Sequence, residues 1–145
     1  MRISTKGRYA IQFLLDLAVN GSDKPESVKT VATRLQLSEK YLEQIASILQ
    51  RANLIKSVLG SKGGYVVNGS YEGITVGQVL RTTEGSLTLV DSAGESLTVC
   101  EGKIPSVTAR VWQQLDDSIN HVVDNITLQD LVDWYHETGE MKKVI

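Results

Sequence analysis

The sequence predicts a mainly α-helical chain with one small β-hairpin, arranged as a winged helix-turn-helix followed by a long C-terminal helix. Three observations predict it. Three short helical patterns joined by tight links fill the first 53 residues. Two strand-like runs flank the glycine-rich connection LGSKGG directly after them. An apolar stripe with steps of three or four residues then runs from Ser106 to Asn125.

Each element has a start signal and an inner face. Ser4 or Thr5 caps a first helix whose apolar positions are Tyr9, Ile11, Phe13, Leu14, Leu17 and Ala18, and Asn20-Gly21 ends it. Ser27 caps a second helix with Val28, Val31, Ala32 and Leu35 inward, and Gln36-Leu37 forms the link. Ser38 caps a third helix held by Tyr41, Leu42, Ile45, Ile48 and Leu49. Leu54–Val58 and Tyr65–Val67 read as the two strands of a hairpin. Ile74–Arg81 reads as a further short helix with Thr75 as its cap, and residues 85–105 have no sustained period. The long stripe carries Val107, Val111, Leu115, Ile119, Val122 and Ile126. Thr127-x-x-Asp130 resembles a capping box and opens a last helix with Leu131, Val132, Trp134 and Tyr135.

The glycine loop excludes one function and suggests another. A phosphate-binding loop of the G-x-x-x-x-G-K-[ST] kind needs its lysine after the second glycine and a helix behind it. Here Lys62 precedes the glycine pair and a strand follows. Read as the wing of a helix-turn-helix, the same loop makes sense. The third helix enters the major groove of DNA, and the hairpin tip approaches the backbone or minor groove. Charge is distributed to match. Residues 1–66 hold ten Lys/Arg and five Asp/Glu, whereas residues 67–145 hold five and twelve, although the whole chain is only −2.

The third helix begins S38-E39-K40-Y41-L42-E43-Q44. Its apolar anchors leave Ser38, Glu39, Lys40, Glu43 and Gln44 to project near its start. Gln can pair bidentately with adenine and Glu can accept from cytosine. Tyr41 either packs or offers its hydroxyl to phosphate. Lys6, Arg8, Arg51, Lys56 and Lys62 are candidates for phosphate contact.

Several stretches together resemble a known family. They are MRISTKGRYA at residues 1–10, LSEKYLEQI at 37–45, the wing ending in KGGY at 62–65, ITVGQVL at 74–80, Glu84-Gly85, Val111-Trp112 and NITLQDL at 125–131. The chain resembles the bacterial winged-helix regulators typified by IscR, NsrR and CymR, over nearly its whole length. The resemblance implies a homodimeric transcription factor, a repressor in the first instance, that binds double-stranded DNA at a palindromic operator. It implies that the helix from Ser106 to Asn125 is the dimer contact, so that the fold becomes a winged helix-turn-helix plus a long C-terminal dimerisation helix. It also divides the chain into a DNA-binding domain at 1–83, a sensor or effector loop at 84–105 and dimerisation helices at 106–145. By residue match, Tyr41, Glu43 and Gln44 fall on the recognition-helix positions, and Lys6, Arg8 and Tyr9 in the N-terminal basic block.

Two departures from the family pattern matter. Leu59 stands where a basic residue usually precedes the first wing glycine. Members that hold an iron–sulfur cluster carry three cysteines before the long helix, whereas this chain has only Cys100. Cys100 matches the middle one, Ser106 stands near the last, and the first has no counterpart among Ser92–Gly94. Thiolate-held clusters need several cysteines, so the expectation is a cluster-free loop, with a cluster as the alternative. Cys100 is a sensor candidate. Its other and preferred reading is a structural or incidental cysteine in a loop that binds a small effector or a regulatory partner protein. The expected signal is redox, thiol-metabolite or iron–sulfur-related.

Other classes find little support. His121 and His136 have no spaced ligand partners, no nucleophile elbow occurs, and Asp116-Asp117 reads as a solvated helix face, so neither catalysis nor a metal site is expected. No signal peptide or membrane span is visible, which with one cysteine suggests a cytoplasmic protein. The remaining alternative is a winged-helix adaptor that binds only protein.

Overall fold

A computed structural model of the chain describes residues 2–21, 24–89 and 102–144, with side chains described as far as 139 in the last helix. Helix α1 spans Thr5–Asp16, and its end widens into a π-helical turn over Leu17–Gly21. Helices α2 (Val28–Leu35) and α3 (Glu39–Arg51) follow, then strands β1 (Ile55–Val58) and β2 (Gly64–Val67). A single 3-10 turn at Tyr71–Gly73 leads into α4 (Val76–Glu84), and α5 (Lys103–Asp124) and α6 (Leu128–Val144) complete the chain.

Start signals read from the sequence are used as read. Ser4 accepts from the Gly7 N–H, Ser27 from Thr30 and Ser38 from Tyr41, each satisfying an otherwise unpaired helix-start donor. Thr75 and Gln78 form a full capping box. Thr127 and Asp130 form another: Asp130 N–H donates to Thr127 Oγ1 at 3.1 Å and Thr127 N–H to Asp130 Oδ2 at 2.9 Å. These two helix starts are joined backbone to backbone, Val76 N–H to Ile126 O and Leu128 N–H to Ile74 O, both at 2.8 Å.

The core is shared by α1, α2, α3 and the start of α6. Phe13, Leu14, Leu17, Val31, Leu42, Ile45, Leu49 and Ile55 are its largest fully buried side chains, and Leu128 and Val132 of α6 join them. The apolar spacings of α1 to α3 therefore point where the sequence said. Two boundaries differ. The fourth helix starts and ends a few residues later than Ile74–Arg81, because Thr75 is its cap and Ile74 belongs to the bridge to α6. The long helix begins at Lys103, before Ser106, because Pro105 falls in its first turn, where the missing N–H has no intrahelical acceptor to lose.

Candidate nucleic-acid interface

The turn between α2 and α3 is tight because Gln36 adopts a left-handed conformation, φ 56°, and its N–H returns to the end of α2. Leu37 N–H donates to Ala32 O at 2.9 Å. This fixes the angle at which α3 leaves the body. A buried ion pair fixes α2 against α1. Arg34 donates from Nε to Asp16 Oδ2 at 3.1 Å and from its terminal nitrogen to Asp16 Oδ1 at 2.6 Å, with Glu26 at 3.6 Å. Asp16 is 6% exposed. The hydrogen bond to Asp16 raises the Arg34 pKa most; burial opposes it, and the charges of Asp16 and Glu26 add to it.

The inward anchors Leu42, Ile45, Ala46 and Leu49 leave the opposite side of α3 free. Lys40, Glu43, Gln44, Ser47, Ile48 and Arg51 line an open polar groove along it. Of the predicted residues, Lys40, Glu43 and Gln44 lie in this groove and are exposed. Ser38 sits at its start, with its hydroxyl engaged as the helix cap. Tyr41 is half-buried and packs edge-on against Tyr9, ring centres 6.0 Å apart, which brings the start of α1 to the start of α3. Its ring is thus used in packing. Arg8 is exposed, whereas Lys6 is half-buried. Ile48, read from the sequence as an inward anchor, is half-buried and lines the groove instead, because the inner face is filled by Leu42, Ile45, Ala46 and Leu49. Ser47 enters the groove without having been singled out, and its i+4 relation to Glu43 was the available signal.

The hairpin pairs antiparallel, with Ile55 opposite Val67 and Val58 opposite Gly64. Its glycines have separate reasons. Gly60 has φ 120°. A Cβ on Gly63 would overlap the Val58 carbonyl, and one on Gly64 would overlap the Glu26 backbone. That second contact exists because Glu26 and Tyr65 exchange backbone hydrogen bonds at 3.0 and 2.9 Å, adding a short third edge to the wing. Gln50 Nε2 donates to Ser57 Oγ at 3.3 Å, tying the wing to α3. Lys56 and Lys62 are exposed on the strand and at the tip. Gln44 and Lys62 are therefore carried on neighbouring, bonded elements.

Two further contacts escaped the sequence. Glu84 accepts from Ser4 N–H at 3.1 Å and from the Ser4 hydroxyl, placing a carboxylate at the positive end of α1. A Cβ on Gly7 would overlap that carboxylate, which explains the glycine inside a helix. Arg81 on α4 grips α5: it donates to Asp124 at 2.5 and 3.0 Å and to Asn120 Oδ1 at 2.6 Å. The hydrogen bond to Arg81 lowers the Asp124 pKa most, against a small burial effect, with the Arg81 charge adding to it. A Cβ on Gly77 would overlap Asp124, so Gly77 makes room for the grip.

No residue of α5 is fully buried. Val107, Val111, Trp112, Leu115 and Val122 are between 42% and 56% exposed. Cys100 lies outside the described residues. No described helix is long and apolar enough to cross a membrane.

This geometry has counterparts. A family model described as "Rrf2: Iron-dependent Transcriptional regulator" matches residues 3–134. The HTH-type transcriptional regulator CymR of Bacillus subtilis (strain 168) is 37% identical over 134 residues, covering 92% of this chain and 91% of that regulator. The HTH-type transcriptional regulator IscR of Pectobacterium carotovorum is 35% identical over 132 residues, covering 91% of this chain and 79% of IscR. The solved structure of CymR, described as the global cysteine regulator of B. subtilis, superposes with a TM-score of 0.80 at 36% identity, over 92% of this chain and 98% of CymR.

Iron in the family description poses a question of donor chemistry. A thiolate-held cluster draws on several cysteines per site, and the sequence contains one. Among the described residues, no group of three or more His, Cys, Asp and Glu side chains is placed to hold a metal ion. The donor set does not fit a thiolate-ligated cluster held by one chain.

Proposed function

The chain belongs to the Rrf2 family of transcriptional regulators, and from that premise we propose that it works as a homodimer whose two α3 helices and wings read a two-fold-symmetric operator. Family membership decides against the protein-only adaptor and for a DNA-binding regulator. The observation that carries the reading is the pairing of an open, shallow groove on α3 with a wing hydrogen-bonded beside it. Gln44 and Glu43 meet base edges, with Lys40 beside them. Arg8, Lys56 and Lys62 meet phosphates, joined by Arg51 at the far end of the groove. Lys6 and Ser38 shape the approach, Ser38 by capping α3, and Tyr41 holds α3 against α1.

The dimer reading rests on α5. An amphipathic helix of this length that fully buries none of its apolar stripe among the described residues needs a partner surface. A second copy supplies one of matching chemistry, and the two reading helices then stand ~34–36 Å apart on one face of the duplex. On this reading residues 1–83 bind DNA, 84–105 sense the signal and 106–145 hold the dimer, with the first turns of α6 also buried in the body. The signal is thiol-related or redox-related and Cys100 is its sensor candidate, in a cytoplasmic repressor without catalytic activity.

Salt-dependent duplex binding tests the DNA assignment. Lys62→Ala should weaken binding to all sequences and reduce the slope of log affinity against log salt by about one contact. Gln44→Ala should erode discrimination between sequences by ~1–3 kcal/mol and leave the slope unchanged. Equal small effects at both positions would reject the groove assignment. Sedimentation of a single-chain species, unchanged by Leu115→Glu, would reject the dimer.

A further inference from the structure

DNA reading as proposed gives Lys62 at the apex of the wing a role and leaves Leu59 without one. Leu59 is 94% exposed there, directly before Gly60. One exposed leucine is ordinary on a protein surface; its position is not. The loop is tight, with Gly63 N–H donating to Gly60 O at 3.0 Å. Ser61 and Lys62 are exposed beside it. The strand leading to it is bonded to α3 through Gln50 and Ser57. The apex is therefore carried beside the reading helix, and a duplex seated on α3 meets leucine at the tip as well as lysine.

We propose that Leu59 enters the minor groove flanking each half-site and selects A·T over G·C pairs there. The proposal rests on the DNA-reading assignment and deepens it. The minor-groove floors of both base-pair types carry acceptors, but G·C adds the guanine N2 amino group, which projects into the groove. Leucine has no acceptor for that donor. It crowds the amino group and removes its water without returning a hydrogen bond, which disfavours G·C. Apolar side chains, leucine among them, enter the minor groove in other DNA-binding proteins, where they wedge between base steps. Lys62, two residues on, holds the tip to the phosphates without regard to sequence. The wing thereby combines an indifferent grip with a base-composition filter.

The test is parallel selection from a randomised duplex pool by the wild type, Leu59→Ala and Leu59→Asn, with affinities then measured on the selected duplexes. The wild type should enrich A·T pairs on both outer flanks, and a G·C pair placed there should weaken binding roughly tenfold. Leu59→Ala should lose most of that flank preference while keeping the half-site sequence read by α3. Leu59→Asn, whose amide oxygen can accept from guanine N2, should admit G·C. Identical flank preferences in wild type and Leu59→Ala, with the half-sites still enriched, would overturn this proposal alone. A wild type that enriches no duplex would overturn the DNA reading and this proposal with it.

Discussion

Arg34→Met is expected to loosen the helix-turn-helix by a calculable amount. Arg34 gives Asp16 two hydrogen bonds, at 3.1 and 2.6 Å. Asp16 is buried, so truncating its partner leaves a buried carboxylate without a counter-charge. Breaking a buried pair from one side costs about 3–5 kcal/mol. The Arg34 side chain is 33% exposed, so water reaches part of the vacated space and the expected cost falls to about 2–3 kcal/mol. For a domain of this size that lowers the thermal midpoint by about 5–10 °C. Replacing both residues, Asp16→Leu with Arg34→Met, removes the stranded charge and should recover most of the loss, giving a coupling of about 2 kcal/mol in a double-mutant cycle. Urea and thermal unfolding followed by circular dichroism measure all four proteins. An Arg34→Met cost below about 0.5 kcal/mol, or strictly additive singles, would refute the reasoning, because the pair would then hold nothing together.

Three other consequences are open to measurement. The Arg81–Asp124 grip involves a carboxylate whose folded pKa is depressed, so its contribution is full above the unfolded value of about 3.9 and is lost as pH falls through the lower folded one; the Arg81 side-chain NMR signal should report that transition, and Asp124→Asn should abolish it. Gln36→Gly relieves a left-handed conformation that side chains disfavour and should raise stability by about 0.5–1 kcal/mol in urea titration; a loss would show that the Gln36 side chain holds the turn. Gly64→Ala drives a methyl group into the Glu26 backbone, which cannot swing aside as a side chain would, and should cost about 1–3 kcal/mol while weakening DNA binding through the displaced wing.

Local signals carried most of the fold. Ser27, Ser38, Thr75 and the Thr127–Asp130 box are helix starts that depend on residues three apart, so a reader of the sequence sees both members at once. The burial of Leu42, Ile45 and Leu49 follows from spacing alone, and with it the exposure of Glu43 and Gln44. What stayed hidden joins distant residues. Glu84 lies 80 positions from the Ser4 it anchors, Arg81 lies 43 from Asp124, and Asp16 lies 18 from Arg34. Glu84-Gly85 and Gly7 were visible as pieces of a family pattern, but their shared reason, a carboxylate seated on the start of α1, needs the fold. Gly64 stood in the sequence only as one of the wing glycines; the partner it approaches, the Glu26 backbone, needs the fold. The helix that begins at Lys103 was placed late because proline reads as a stop unless its position within the first turn is known.

DNA reading by α3 and the wing is tested most directly by mapping amide chemical shifts of the labelled protein as a selected duplex is added. Perturbations should gather at Ser38–Arg51, at Lys56–Gly63 and at the start of α1, with the apolar stripe of α5 unmoved. Shifts confined to α5 and α6, with the groove residues Lys40, Glu43 and Gln44 unchanged at saturation, would contradict it.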